Sequence, residues 1–90
     1  MRITFDPAKR EKTLSERGLD FRDAASVFSG RTATVEDTRF DYDKPRFITA
    51  GHLSGRLVVI VWTPRGQSRR IISMRYAHEK ETKLWSARIA

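Results

Sequence analysis

The sequence of 90 residues is informative first for what it lacks. It has no cysteine, which excludes disulfide bonds, thiolate metal ligands and a cysteine nucleophile. Its longest uninterrupted apolar run, Leu57 to Trp62, is far too short to span a bilayer. The first ten residues carry no apolar stretch of the kind that a secretion signal needs. The length predicts a single domain over residues 1–90. The absences predict that packing stabilises this domain and that the cytoplasm is its location.

Acidic residues are missing from one long segment of the chain. From Arg46 to Ala77 there are six arginines and one histidine, but no aspartate or glutamate. The whole chain has 18 Lys+Arg against 11 Asp+Glu, a formal net charge of +7. Most of these cations are arginines, whose planar guanidinium suits phosphates and carboxylates. The segment is therefore a candidate surface for nucleic acid, although some of its arginines could instead pair with acids elsewhere in the chain.

Motifs for metal or nucleotide chemistry are also missing. Four carboxylates lie in and around one loop, but their spacing fits no calcium-binding pattern, and a solvated acidic loop explains them more simply. They are Glu36, Asp37, Asp41 and Asp43. The chain has no Gly-rich phosphate loop and no histidine pair at helical spacing. We therefore predict neither a metal site nor a cofactor.

The first third of the chain predicts a short strand and two helices. Residues 2–5 alternate polar and apolar side chains, which is typical of a strand. Asp6 and Pro7 provide an N-cap and a first helical position, and Gly18 provides a left-handed C-cap. A second helix begins at Asp20 and ends at residues 29–30. Its predicted buried stripe consists of Phe21, Ala24, Ala25, Val27 and Phe28.

After Gly30 the apolar period falls to about 2, which indicates strands. Four are predicted, at residues 31–36, 46–53, 56–63 and 68–76, and their short connections favour antiparallel pairing. Leu57 to Trp62 is apolar on both faces, so this segment should form a central strand that is covered on both sides. Residues 77–89 are predicted to form a closing helix. The predicted fold class is α+β in the order β-α-α-β-β-β-β-α, with an antiparallel sheet, two N-terminal helices and a C-terminal helix.

The polar residues that remain can cut RNA without metal or thiol. The 2′-hydroxyl of RNA can attack its own phosphate, so a protein need supply only a base, an acid and cations. Arg75, His78 and Glu81 lie close together in the sequence, where the last predicted strand ends and the closing helix begins. His78 could act as base or acid, and Glu79 or Glu81 could also act as the base. Arginine stays protonated, so Arg75 would stabilise charge.

Strand alternation sorts the last strand into two sets. Arg69, Ile71, Ser73 and Arg75 are predicted on one face, and Arg70, Ile72, Met74 and Tyr76 on the other. Tyr76 could stack on a nucleobase or donate a proton. Trp62 could also stack, although a tryptophan in a central strand more often belongs to the core.

Five pieces of the chain, in order, resemble one family. They are "FDPAK" at 5–9, "RGLDFRDAASVF" at 17–28, "RFITAG" at 46–51, "GRLVVIVWTPRG" at 55–66 and "RRIISMRYAHEKE" at 69–81. This set resembles BrnT, the toxin of a type II toxin–antitoxin pair. One departure is at the end of the first helix, where the family often has Lys-His-Gly and this chain has Glu16-Arg17-Gly18.

The resemblance implies a RelE-like fold and a cytoplasmic endoribonuclease that inhibits growth. It also implies neutralisation by a cognate antitoxin of ribbon-helix-helix type, in a heterotetramer that reaches operator DNA only through the antitoxin. The functional positions that it transfers to this sequence are Lys9, Arg46, Arg65, Arg75 and Glu81.

Together, the residues and the resemblance predict a metal-independent endoribonuclease. Its catalytic residues are Arg75, Glu81, His78, Arg46 and Lys9. Its RNA-binding residues are Arg65, Arg69, Arg70, Trp62 and Tyr76. The alternative is a non-catalytic basic module that binds RNA or an acidic protein, and a third possibility is a subunit that serves only for interaction.

Overall fold

A computed structural model of the chain describes residues 2–39 and 43–89. Five strands form one sheet: β1 (Arg2–Phe5), β2 (Thr32–Glu36), β3 (Phe47–Leu53), β4 (Arg56–Arg65) and β5 (Ser68–Tyr76). The helices are α1 (Pro7–Arg17), α2 (Ala24–Ser29) and α3 (Glu79–Ile89), and a short 3₁₀ turn (Phe21–Asp23) precedes α2. The predicted α+β class and order of elements are confirmed. Within the described residues, no helix has the length and apolar character needed to cross a membrane.

The sheet has the strand order β1-β5-β4-β3-β2. Strands β2 to β5 pair in sequence and antiparallel, as their short connections predict. The predicted central strand, β4, is the middle strand. β1 pairs with β5 in parallel, so the sheet contains one parallel pair, and the periodicity of the sequence did not assign that partner.

The predicted caps of α1 are confirmed. The side chain of Asp6 accepts a hydrogen bond from the backbone N–H of Ala8 at 2.9 Å, and Pro7 occupies the first turn. Gly18 ends the helix with φ of 69°, a conformation that few residues other than glycine adopt without strain. Arg10 of α1 donates two hydrogen bonds to Asp20, at 3.0 and 2.8 Å, which tie this helix to the start of the next.

One face of the sheet packs against α2 and is called the α2 face. Val58, Ile60 and Trp62 of β4 point to this face, where they form the larger core cluster. Their partners before and within α2 are Leu19, Phe21, Ala24 and Val27. The predicted stripe of α2 is confirmed except at Ala25, which is exposed. That part of the prediction is wrong because the helix begins with a 3₁₀ turn, which shifts the residues that follow out of ideal α-helical spacing.

The opposite face packs against α3 and is called the α3 face. Leu57 and Val59 of β4 contribute to a second, smaller cluster that includes Ala50. Trp85 and Ile89 of α3 pack against this cluster. The central strand is therefore covered on both sides, as its apolar sequence predicts.

The strict alternation predicted for β5 is wrong. Val61 pairs with Ser73 but Trp62 pairs with Ile71, so β5 contains one extra residue at a bulge. Ile71 and Met74 therefore both enter the core on the α2 face. Odd-numbered residues of β5 before the bulge therefore point to the opposite face from odd-numbered residues after it. As a result, Arg69 and Arg75, which alternation places together, lie on opposite faces.

Candidate functional site

The junction of β5 and α3 holds an arginine–glutamate pair. Arg75 pairs with Val59 across the sheet, which places it on the α3 face. Its guanidinium donates to both carboxylate oxygens of Glu81, with Nη2 at 3.2 Å from Oε2 and Nη1 bonded to Oε1. Nη1 also donates to the backbone carbonyl of Tyr76 at 3.2 Å. The guanidinium is thereby held by three acceptors at the end of the strand.

Glu81 is fixed by the start of α3 as well as by Arg75. Its Oε1 accepts a hydrogen bond from the backbone N–H of His78 at 2.8 Å, and the carbonyl of His78 accepts from the N–H groups of Glu81 and Thr82. A carboxylate that reaches back three residues in this way forms half of a capping box. The exposed His78 therefore sits at the head of the helix, with its side chain directed away from the core.

The pKa of Glu81 lies below its ordinary value. The hydrogen bond from Arg75 is the main cause, the N–H of His78 acts in the same direction, and partial burial acts against both. Glu81 is consequently ionised at neutral pH, and its negative charge faces Arg75.

Further arginines lie on the same face as Arg75. Arg70 pairs with Thr63 of β4, and alternation along β4 places Thr63 and Arg65 on the side of Val59. Arg46 immediately precedes Phe47, and alternation along β3 places Arg46 on the side of Ile48 and Ala50. Arg70 and Arg75 are about 15 Å apart along β5. Between them on this face lie Ser73 and its β4 partner Val61, and both are only half-buried. α3 therefore covers one part of this face and leaves a basic part uncovered.

Lys9 lies in a groove between α1 and the edge of β5. The groove has a volume of about 280 Å³. Its lining residues are Lys9, Lys12, Thr13, Glu16, Arg17, Ile72 and Ser73. Arg17 donates to the backbone carbonyl of Met74 at 3.0 Å, which holds the end of α1 to β5. Lys9 and Ser73 therefore line one groove at the edge of the sheet, and Arg75 follows two residues after Ser73 on β5.

Lys12 also lines this groove, although it was not predicted from the sequence to be a site residue. Lys9 and Lys12 are three residues apart on α1, so they lie on one side of the helix. That spacing is visible in the sequence, but only the structure shows that this side faces β5.

Two aromatic residues predicted to bind RNA lie instead on the α2 face. Trp62 belongs to the core, and its indole Nε1–H donates to Thr49 Oγ1 at 2.8 Å. Tyr76 packs against the same core, and the guanidinium of Arg56 lies 3.6 Å from the centre of its ring. Arg69 is also on the α2 face, 4.2 Å from the ring centre of Phe28. The ten predicted site residues therefore do not form one continuous surface.

The acidic loop is only partly described. Asp37 is buried and accepts two hydrogen bonds at 2.8 Å from the guanidinium of Arg39, and Asp41 lies outside the described residues. Within residues 2–39 and 43–89, no group of three or more histidine, aspartate and glutamate side chains is placed to hold a metal ion.

Comparison with known protein families gives a match over most of the chain. A family model described as "Ribonuclease toxin, BrnT, of type II toxin-antitoxin system" matches residues 5–81. The match begins at the end of β1 and ends at Glu81, so it includes α1, the sheet from β2 to β5 and the Arg75–Glu81 pair. No curated protein matches the chain.

Proposed function

Because the chain belongs to the BrnT family of ribonuclease toxins of type II toxin–antitoxin systems, we propose that it is an endoribonuclease that cuts RNA without a metal ion. The observation that carries this proposal is the position of Arg75, which Glu81 and the Tyr76 carbonyl hold on the α3 face within the acid-free segment. Arg70 and Arg46 lie on the same face, and Lys9 lies at its edge beside Ser73.

The proposed reaction uses the nucleophile that RNA carries. The 2′-oxygen attacks the adjacent phosphorus as a base removes its proton, and the 5′-oxygen leaves with a proton from an acid. The products are a 2′,3′-cyclic phosphate and a 5′-hydroxyl. Arg75, Arg46 and Lys9 stabilise the negative charge that increases on the phosphate oxygens in the transition state.

Proton transfer falls to His78 or Glu81. His78 is exposed at the start of α3, where its imidazole can reach bound RNA and act as base or acid. Glu81 is ionised and can accept a proton, but the lowered pKa makes it a weaker base than an ordinary glutamate. We therefore favour His78 for proton transfer and assign to Glu81 the positioning of Arg75.

The proposed RNA contacts are those of the arginines on the α3 face of the sheet. Arg70 and Arg65 extend the basic part of the α3 face and bind phosphates that flank the cut. Trp62 and Tyr76 have structural contacts on the other face, so the proposed RNA surface does not include them. The proposal places the single domain in the cytoplasm, where a cognate antitoxin of ribbon-helix-helix type neutralises it and carries it to operator DNA as a heterotetramer.

The decisive experiment measures the ends of the RNA products. Purified protein is incubated with RNA in EDTA, and the products are tested for a 2′,3′-cyclic or 3′-phosphate and a 5′-hydroxyl. We expect cleavage that resists EDTA. Salt-sensitive binding without products would instead support the non-catalytic basic module. A stable antitoxin complex without RNA affinity would support the subunit that serves only for interaction.

A further inference from the structure

Arg69 has an unusual environment for a charged side chain. Its guanidinium lies 4.2 Å from the ring centre of Phe28 and 5.1 Å from that of Trp62. Its Nε is buried and has no hydrogen-bond partner among the described residues. Among the described residues, no carboxylate forms an ion pair with Arg69, whereas Arg10, Arg39 and Arg75 each have at least one.

This environment lowers the stability of the folded chain, but it prepares the guanidinium of Arg69 to bind a ligand. A buried nitrogen without a partner lowers stability, and an apolar side chain of similar shape would avoid that cost. The two aromatic rings limit the movement of the guanidinium, so little conformational entropy would be lost when an anion binds to its remaining N–H groups.

A groove lies beside Arg69, between β1 and α2. It has a volume of about 200 Å³ and is lined by Ile3, Ala25, Phe28, Ser29 and Arg69. Three of these residues are apolar, so the groove can accept an apolar side chain next to the guanidinium. Ala25, which helical spacing alone predicts to be buried, is exposed at this groove.

The outer edge of β1 is next to the same groove. β1 is the terminal strand of the sheet and pairs with β5, where Ile3 lies opposite Arg69. Among the described residues, no strand pairs with the other edge of β1. An extended peptide can add to such an edge through main-chain hydrogen bonds and place alternate side chains in adjacent pockets.

We propose that this groove and the β1 edge form a docking site for the antitoxin, with an antitoxin carboxylate bound to Arg69 and a neighbouring apolar side chain in the groove. The proposal rests on the toxin–antitoxin part of the proposed function and not on the catalytic mechanism. A protein fits better than RNA for two reasons. The groove adjoins the edge of β1 with which no described strand pairs, and an extended peptide can add to such an edge. The groove also lies on the α2 face, opposite the basic surface around Arg75.

The test compares antitoxin binding by matched variants. The dissociation constant of the purified antitoxin encoded with this chain is measured by calorimetry for the wild type, Arg69→Met, Ala25→Gln and Lys83→Met. Arg69→Met removes the charge but keeps an unbranched apolar body on Phe28. Lys83→Met removes the same charge from an exposed position on α3. Ala25→Gln partly fills the groove with a good helix former.

We expect Arg69→Met to weaken antitoxin binding by about tenfold or more, the effect of losing a charge-assisted hydrogen bond. Its melting temperature should be unchanged or higher, a result that a merely structural arginine would not give. Ala25→Gln should also weaken binding, while Lys83→Met should change the constant by less than about twofold. RNA cleavage by Ala25→Gln and Lys83→Met should match the wild type.

The proposal is overturned if folded Arg69→Met binds the antitoxin as tightly as the wild type, or if the wild type does not bind it. Weaker RNA binding with unchanged antitoxin binding would assign the groove to RNA and would overturn it as well. The two proposals fail separately. A chain that binds antitoxin through Arg69 but cuts no RNA supports this inference and refutes the ribonuclease mechanism.

Discussion

On the α3 face, Arg75 donates to a carboxylate and to a backbone carbonyl, whereas on the α2 face Arg69 lies against Phe28 with a buried nitrogen that has no described partner. Both arginines belong to β5, six residues apart, and the bulge between them directs them to opposite sides of the sheet. The first is oriented by charge and the second by aromatic packing. The same residue type is therefore held in two different ways, for which we propose roles in RNA cleavage and in partner binding.

The strongest test of the comparison is to remove Arg75. Arg75→Ala should lower the rate of RNA cleavage by about 10²–10³-fold, because preorganised donors that stabilise transition-state charge contribute at that scale. The rate constant is measured with a fluorescent RNA substrate under single-turnover conditions. Arg22→Ala is the matched control, since it removes one exposed charge from the 3₁₀ turn that packs on the α2 face. Equal rates for wild type and a folded Arg75→Ala protein would exclude Arg75 from the mechanism.

A second test concerns the packing of the α2 face. A Cβ atom at Gly51 would lie 2.8 Å from Val27 Cγ1 and 2.9 Å from Thr32 Cγ2, and both neighbours are stiff β-branched residues. Gly51→Ala should therefore lower the free energy of unfolding by about 1–3 kcal/mol. Urea denaturation measures the change. Gly30→Ala is the control, because the nearest atom to its added Cβ lies at an ordinary 3.7 Å. An unchanged midpoint for Gly51→Ala would show that α2 can move away from β3.

The smallest expected effect concerns the ion pair that joins α1 to the 3₁₀ turn. The hydrogen bond from Arg10 is the main cause that lowers the pKa of Asp20 from 3.8 to about 2. A lowered folded-state pKa contributes stability above the unfolded value, and this contribution is lost as the pH falls from about 4 to about 2. Asp20→Asn should keep the N-cap but flatten the decline in melting temperature over that range.

Calorimetric scans between pH 2 and pH 7 measure this decline. Asp23→Asn serves as the control, since it replaces an exposed acid of the same turn. Cleavage should be unaffected by Asp20→Asn, because its ion pair is separate from that of Arg75. If the melting temperature of Asp20→Asn fell as steeply below pH 4 as that of the wild type, the ion pair between Arg10 and Asp20 would not be the source of this stability.

The fold was predictable where one residue decides the local structure. Asp6, Pro7 and Gly18 define the ends of α1, and the all-apolar segment of β4 requires cover on both faces. The pairing of β1 with β5 was not predictable, because it joins segments more than sixty residues apart without a local signal. Nor was the bulge in β5, because the sequence from Ser68 to Tyr76 contains no glycine or proline to mark it.

The candidate site also has one part that was predictable from the sequence and one part that was not. Arg75, His78 and Glu81 lie within seven residues of one another, so their proximity followed from the chain itself. The contact between Arg75 and Glu81 needed the capping geometry of α3. The grouping of Arg46 with Arg70 needed the register of three strands, which no local pattern contains.

By itself, the sequence determined the charge of the molecule, the absence of thiol chemistry, the order of its helices and strands, and the clustering of polar residues at the end of β5. Each of these depends on composition or on neighbours along the chain. Only the tertiary structure decided which arginines share a face, that Trp62 belongs to the core, and that Arg69 lies beside a groove. For the arginines of β5, the physical reason is the single extra residue in that strand, which changes the direction of the β5 side chains beyond it while leaving the composition of the strand the same. For Trp62, the reason is the packing of β4 against α2.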